Sequence, residues 1–218
     1  MEKGRLEAFS DGVFAVAITL LALDLAIGGP GHGPLRHQLA DRWPSYAAYV
    51  VSFFVIGITW VNHHALFKGI ALVDRSLLFL NLTLLMFIVA IPFGTATMAA
   101  YLRAGDDDAH LAAALYAAIL EGMGLTFTAV FLWSIRADER RYEPLTPDVA
   151  RRSLWRFGLG SVAYLAAIAV AFVSAPASLV IIALVALYYL FDQTPGPAQT
   201  VLAAPPAEHQ HRDDRGKE

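Results

Sequence analysis

Six apolar runs in succession constrain this chain more than any other feature. The first five are each long enough to cross the roughly 30 Å hydrocarbon core of a bilayer as a helix, and the sixth is shorter but rich in Leu, Ile, Val and Tyr. The runs extend from Phe9 to Ile27, Pro44 to Phe67, Leu77 to Leu102, Leu111 to Ile135, Leu154 to Ala175 and Ala177 to Phe191. They predict an all-α integral membrane protein with six transmembrane helices per subunit.

The composition agrees with membrane insertion and excludes several function classes. Charged residues make up only 16% of the 218 residues, whereas soluble domains contain about 25%. Since the chain has no cysteine, it has no disulfide, thiolate metal site or cysteine nucleophile. A net charge of -3 provides no basic field for nucleic acid, so we expect no nucleic-acid partner.

Two segments differ in character. Residues 1–191 form the predicted transmembrane domain, and residues 192–218 are rich in Pro, Ala and charge and predict a disordered cytoplasmic tail. The first run is interpreted as a retained helix and not a signal peptide. Asp11 interrupts its start, and no small-x-small cleavage site follows Leu25.

Basic residues predict the orientation. If the N-terminus is cytoplasmic, only three of the 16 Lys and Arg residues, Arg36, Arg42 and Arg103, fall in outer segments. The positive-inside rule then places both termini in the cytoplasm. Two interpretations stay open for the basic inner connection from Arg136 to Arg156: contact with anionic membrane lipid, or a purely topogenic signal.

Polar side chains gather at one depth, near the cytoplasmic face of the first three runs. They are Arg5, Ser10, Asp11, Trp60, His63, His64 and Asn81. A buried carboxylate needs donors, so we predict a hydrogen-bond cluster between helices, with a proton relay through the histidines as the alternative. Metal binding by His63 and His64 is disfavoured because neighbours in a helix point about 100° apart. Glu121, at mid-span, has no partner of matching depth and is interpreted as a buried packing carboxyl.

The first run also carries an apolar stripe. Val16, Thr19, Leu20, Leu23 and Ile27 recur at spacings of three and four residues, whereas Asp11 falls roughly 140° away from Val16 on an α-helix. The pattern alone leaves two interpretations open, an ordinary packing face or the lining of a pore.

Three segments resemble a known family. Arg5-x-x-x-Phe9-Ser10-Asp11-Gly12, followed by the run to Asp24, is similar to the signature first helix of the transmembrane protein 175 family of potassium channels. Trp60-Val61-Asn62-His63-His64 and the stretch from Leu80-Asn81-Leu82 to Pro92-Phe93 resemble the second and third helices of its bacterial members. The likeness extends to about Phe191.

The resemblance implies a potassium-selective channel of the prokaryotic cell membrane. One six-helix repeat per subunit would assemble as a homotetramer, with the first helix lining the pore and no re-entrant carbonyl filter. Potassium is then the permeant ion and no cofactor is expected. The implied constriction residues are Val16, Leu20 and Leu23, and the implied hydroxyl ring is Thr19. The implied clamp behind the pore helix consists of Arg5, Phe9, Ser10, Asp11, Trp60, His63, His64 and Asn81.

Val16 departs from the family pattern. The innermost constriction position in family members is often Ile or Leu, and valine is smaller. A ring of Val16 side chains would therefore be wider than usual, which leaves open which of the three rings is the narrowest.

Two other function classes are weighed against a potassium channel. A proton-conducting channel or transporter would use Asp11, His63 and His64, but the chain shows no evident inverted symmetry, which transporters typically have. A membrane enzyme would use His63, His64 and Glu121, but their spacing offers neither a nucleophile nor a metal set. We therefore expect no enzymatic activity and no catalytic residue.

Overall fold

The computed structural model describes residues 2–102 and 106–191, and these are mostly helical. Their seven α-helices are α1 (Lys3–Leu20), α2 (Leu35–Asp41), α3 (Trp43–Lys68), α4 (Arg75–Tyr101), α5 (Asp107–Ile135), α6 (Pro147–Ala171) and α7 (Ala175–Phe191). Two 3₁₀ segments, Leu21–Leu25 and Asp138–Arg140, lie between them. Within the described ranges β pairing is limited to one isolated bridge, between Ile70 and Arg141. The prediction of an all-α chain is confirmed.

Five helices are long and apolar enough to cross a membrane. They are α1 with its 3₁₀ continuation, α3, α4, α5 and α6. Helix α7 is apolar, but its 17 residues extend only about 26 Å at 1.5 Å per residue. The six-span count and the sides of the two termini therefore stay predictions. Arg103 and the predicted tail, residues 192–218, lie outside the described residues.

The first helix differs from its prediction at both ends. It begins at Lys3, ahead of the apolar run, and its α-helical part ends at Leu20. The chain continues as a 3₁₀ helix to Leu25, so the prediction that Ile27 extends the helical stripe is wrong. Short 3₁₀ turns are common at helix ends, and Gly28 and Gly29 follow directly in the sequence.

Helix α6 begins about two turns earlier than its apolar run. Thr146 precedes Pro147 at the first helical position, where proline is well tolerated because its missing N–H would have no partner there. The first two turns carry Asp148, Arg151 and Arg152. The apolar run does not include these turns, although the backbone is helical through them.

Helix α5 is central, since it packs against α4, α6 and α7. Its buried side is rich in alanine, which lets neighbouring helices approach closely. Gly122 faces the ring of Phe87 on α4 so closely that a Cβ atom at this position would collide with the ring. These small residues allow α4 and α5 to lie in contact along the bundle.

A buried group of three hydroxyls links three helices. Ser52 Oγ on α3 lies 2.7 Å from Thr95 Oγ1 on α4 and 2.7 Å from Tyr116 Oη on α5. Thr95 also donates a hydrogen bond to the carbonyl of Ile91. Ser52 therefore joins the hydroxyls of two neighbouring helices within the core.

Segments 69–71 and 140–142 join at one end of the bundle, and we call this pairing the basal clasp. The Ala71 N–H donates to the Arg140 carbonyl at 2.8 Å, and the Tyr142 N–H donates to the Gly69 carbonyl at 3.1 Å. The Arg141 guanidinium packs against Gly69, where a Cβ atom would collide with it. Burial lowers the pKa of Arg141 from its usual value, but an arginine remains protonated in proteins.

The foot of α1 is attached beside this clasp. Lys3 Nζ donates to the Lys68 carbonyl at 3.2 Å and lies 4.9 Å from the centre of the Tyr142 ring. Lys3 also pairs with Glu7 at 3.9 Å. The start of α1 therefore contacts both the end of α3 and the connection between α5 and α6.

We expect Ser52→Ala to destabilise the bundle by about 1–2 kcal/mol, because the buried Tyr116 hydroxyl would lose its partner. The control is Thr97→Val, which removes only a hydroxyl bonded to the carbonyl of its own helix at Phe93. Denaturant unfolding in detergent micelles measures the free energy of unfolding of both variants. Equal stability of the two variants would contradict a role for Ser52 in joining the helices.

Candidate functional site: the first helix and its polar anchor

Helix α1 and its 3₁₀ continuation have two opposite faces. Leu6, Ser10, Phe14, Ala17 and Leu21 are buried against the rest of the subunit, mainly against α3 and α4. The other side carries four of the five residues of the predicted stripe, and we call it the free face. They are Val16, Thr19, Leu20 and Leu23. The free face is available for contact with water, lipid or another subunit.

The exposure of this face is large for apolar side chains. Val16 is 54% exposed, Leu20 38% and Leu23 70%. A 3₁₀ helix turns 120° per residue, so residues three apart lie one above the other. Leu23 therefore stays in line with Leu20, although the α-helical part of the chain ends between them.

Thr19 provides the hydroxyl of the free face. Its Oγ1 donates to the Val16 carbonyl at 2.8 Å, which uses the one hydroxyl proton. The oxygen keeps acceptor capacity on the exposed side of the helix. An oxygen that accepts but does not donate there is suited to a passing cation.

Behind the free face, three polar side chains form a buried chain that we call the polar anchor. His63 Nε2 lies 2.9 Å from Asn81 Oδ1, and Asn81 Nδ2 donates to Ser10 Oγ at 3.0 Å. Ser10 Oγ in turn donates to the Leu6 carbonyl at 2.9 Å. The anchor joins α3, α4 and α1, as the predicted cluster requires.

The direction of these hydrogen bonds is fixed along the whole anchor. Because the Asn81 amide nitrogen donates to Ser10, its oxygen is left to accept from His63, and His63 Nε2 carries a proton. The chain ends on a backbone carbonyl, which has no proton to pass on. An amide is also not a proton carrier at neutral pH. An arrangement of this kind is suited to a structural link between the three helices.

Two aromatic rings enclose the histidine of the anchor. The Phe67 ring stacks on His63 at 4.0 Å between centroids, and Phe14 of α1 lies at 5.4 Å. His63 is 2% exposed as a result. Neither phenylalanine is part of the predicted cluster, although Phe14 lies one helical turn from Ser10 and shares its face.

Asp11 and His64 belong to a separate, exposed layer. Trp60 Nε1 donates to Asp11 Oδ1 at 2.8 Å, and the Trp60 ring stacks on His64 at 6.1 Å with 20° between the planes. All three side chains are exposed, unlike His63. The predicted single cluster thus divides into the buried anchor and an exposed layer. In that layer Trp60 of α3 bonds to Asp11 of α1 and stacks on His64 of its own helix.

Arg5 and Phe9 are not brought into either layer of one subunit. Both are exposed and lie on the same side of α1 as Val16. Among the described residues, the Arg5 side chain has neither a hydrogen bond nor an ion pair. Their predicted part in the clamp therefore stays a prediction.

Glu121 lies apart from this site, on α5. It is 6% exposed, and Ser161 of α6 lies near its carboxyl group. Its Oε2 has no partner within the described ranges. The sequence predicts no acid or base at its depth, and the nearby polar residue on α6 is Ser161. No group of three His, Asp or Glu residues in the described part of the chain is placed to hold a metal ion.

Comparisons with known proteins agree on one family. A family model described as the endosomal/lysosomal potassium channel TMEM175 matches residues 5–92. A potassium channel of Streptomyces collinus is 50% identical over 204 residues, which cover 93% of this chain and 98% of that protein. An endosomal/lysosomal proton channel TMEM175 of Gallus gallus is 40% identical over 101 residues, covering 42% of this chain and 20% of that protein.

One solved structure has the same fold over nearly its whole length. It is the crystal structure of a lysosomal potassium-selective channel TMEM175 homologue from Chamaesiphon minutus. The TM-score is 0.76 at 34% sequence identity, with 87% of this chain and 97% of that chain covered. The named family and relatives are ion channels, so the expectation that the chain is not an enzyme is confirmed.

We expect Asn81→Leu to lower the free energy of unfolding by about 1–3 kcal/mol, because it leaves the buried groups of Ser10 and His63 without their partner. Asp11→Asn keeps an acceptor for Trp60 in an exposed layer and should cost less than about 1 kcal/mol.

Thr83→Val on the same helix is the matched control, since Thr83 is exposed and bonds only to the Phe79 carbonyl. Unfolding by denaturant in micelles measures all three variants. The anchor is refuted if Asn81→Leu is as stable as Thr83→Val.

Proposed function

The chain belongs to the TMEM175 family, and from this we propose that it is a potassium-selective ion channel of the cell membrane. The relatives that it matches over most of its length are named potassium channels. The five long apolar helices agree with a multi-pass membrane protein. The observation that carries the proposal is the free face of α1, an exposed stripe of apolar side chains with one hydroxyl.

Four copies of the chain form the proposed channel. One α1 helix cannot enclose a pore, so several free faces must meet around a common axis, and closed rotational symmetry is the usual arrangement. The polar anchor supports this assembly because it fixes the rotation of α1 about its own axis. With Ser10 and Phe14 turned inward, Val16, Thr19 and Leu20 are turned outward in every copy.

Rings of Leu20 and Leu23 would act as the gate. A narrow apolar neck excludes water and thereby blocks ions without a plug. Opening requires a small tilt or rotation of α1, and the ion that gives up its water more readily, potassium over sodium, passes more easily. Val16 adds a wider ring, and Thr19 places hydroxyl oxygens beside the neck.

The proposed orientation places the basal clasp in the cytoplasm. The ends of helices that meet there carry Lys3, Lys68, Arg75, Arg136 and Arg140. An excess of Lys and Arg near helix ends favours the cytoplasmic side. Both termini are then cytoplasmic, with six spans in the cell membrane.

Proton conduction is the second candidate, because the Gallus gallus relative is named a proton channel. The polar anchor argues against a route through His63, since it ends on the Leu6 carbonyl. A proton current would instead follow water along the free face of α1. Changing His63 would then affect stability more than conduction.

Flux through the protein in liposomes separates the two candidates. We expect a potassium gradient to drive uptake of a tracer cation, with slower flux in sodium, because the apolar neck favours the less strongly hydrated ion. A proton gradient in the absence of potassium should produce little change of internal pH. Proton flux equal to potassium flux would replace the proposal by its alternative, and no flux of either ion would reject both.

The pore face is tested by Leu20→Ala. We expect this variant to raise the conductance several-fold, or to weaken potassium selectivity so that the reversal potential between potassium and sodium solutions moves toward zero. Removing the isobutyl group widens and wets the neck. Leu165→Ala is the matched control, because Leu165 is an exposed leucine of α6. Unchanged currents in variants at Val16, Leu20 and Leu23 would show that α1 does not line the pore.

A further inference from the structure

A groove lies at the basal end between α4 and α5, outside both the free face and the polar anchor. It has a volume of about 500 Å³, and its lining includes Ser76, Leu80, Leu132, Trp133, Arg136 and Arg140. The arginines and Ser76 stand at the end of the helices, and the leucines stand one turn further into the bundle. One half of the groove is therefore cationic and polar, and the other half is apolar.

We propose that this groove is a binding site for an anionic phospholipid, whose phosphate lies between Arg136 and Arg140 and whose acyl chain follows the apolar half. The site is separate from the ion pathway, so the proposal does not depend on conduction.

The two guanidinium groups have unused hydrogen-bonding capacity. Arg140 Nη1 donates to the Trp133 carbonyl at 2.9 Å, and the guanidinium lies 4.6 Å from the centre of the Trp133 ring. These contacts orient Arg140, but its buried Nε has no acceptor within the described residues. A phosphate oxygen is the acceptor that matches guanidinium geometry.

Arg136 is the exposed partner of this pair. Within the described part of the chain its side chain makes neither a hydrogen bond nor an ion pair, and neither Asp138 nor Glu139 pairs with it. Arg140 likewise has no carboxylate partner there. Within residues 2–102 and 106–191 the positive charge of the groove is therefore not neutralised, which favours an external anion.

The order of residues along the groove distinguishes a lipid from a soluble phosphate. Ser76 and Arg136 lie at helix ends, and the largely buried Trp133 ring lines the groove beside them. Leu80 and Leu132 continue the groove toward the hydrocarbon. A free phosphate would use only the polar half, whereas a phospholipid matches both halves in the direction of the membrane normal.

The site is continuous with the basal clasp. The Arg140 carbonyl accepts from the Ala71 N–H, so the residue that would hold the phosphate also holds the connection between α3 and α4. Lipid binding should therefore raise the thermal stability of the protein in addition to occupying the groove.

The test compares lipid binding to the purified full-length protein in a neutral detergent. Native mass spectrometry measures how much phosphatidylglycerol and phosphatidylcholine each variant retains, and a thermal melt measures stabilisation. The variants are Arg136→Gln and the double variant Arg136→Gln/Arg140→Gln. The control is Arg151→Gln/Arg152→Gln, which removes the same charge from exposed positions of α6.

We expect phosphatidylglycerol to be retained in preference to phosphatidylcholine. Its affinity should fall about 5-fold for each guanidinium removed and about 30-fold for the pair, with little change in the control. Since Arg140 also holds Trp133, the double variant can lose stability for structural reasons. Arg136→Gln alone decides the question in that case, because its side chain holds nothing else within the described ranges.

Several results would overturn the proposal. Equal phosphatidylglycerol binding by wild type and Arg136→Gln would show that the groove does not bind the lipid. Equal retention of the two lipids would show that binding does not depend on the negative charge of the headgroup. Displacement of the lipid by glycerol phosphate at millimolar concentration would assign the arginines to a soluble phosphate. Because the chain has no cysteine, a disulfide between copies of a Leu132→Cys variant would assign the groove to a subunit interface instead.

Discussion

An amide buried in a membrane protein must find hydrogen-bond partners within the protein, and that of Asn81 finds them on two other helices. Because one partner is Ser10 of α1, this amide fixes which side of α1 points into the subunit. The apolar stripe then points away from it. The proposed pore therefore depends on a polar contact on the opposite side of α1, where Asn81 bonds to Ser10.

Much of the fold could be predicted from hydropathy. The spans of α3, α4 and α5 begin and end within a few residues of their apolar runs, since burial in lipid and hydrophobicity are the same requirement. Helix α6 begins earlier than its apolar run because its first turns are polar, and helical backbone hydrogen bonds do not depend on side-chain polarity. The 3₁₀ winding after α1 could not be predicted from hydropathy, because apolar side chains do not specify which type of helix the backbone forms.

The sequence predicted the depth at which the polar residues of the candidate site lie, but not the contacts between them. The positions of Ser10, His63 and Asn81 along their helices place them in one layer, and the structure joins them. The sequence does not give the rotation of each helix, so it could not separate buried His63 from exposed His64, nor find the rings of Phe14 and Phe67 around the imidazole. For Arg5, the position in the motif predicted a role in the clamp, but its side chain has no partner among the described residues of one subunit.

The 3₁₀ segment Leu21–Leu25 continues α1 with a different rise and turn per residue. A 3₁₀ helix rises about 2.0 Å per residue against 1.5 Å in an α-helix and turns about 20° more. Rewinding these five residues would shorten the helix by about 2.5 Å and swing Leu23 by about 60° relative to Leu20. Leu20 ends the α-helix and Leu23 lies in the 3₁₀ segment, so the alignment of the two leucines depends on the 3₁₀ winding of residues 21–25.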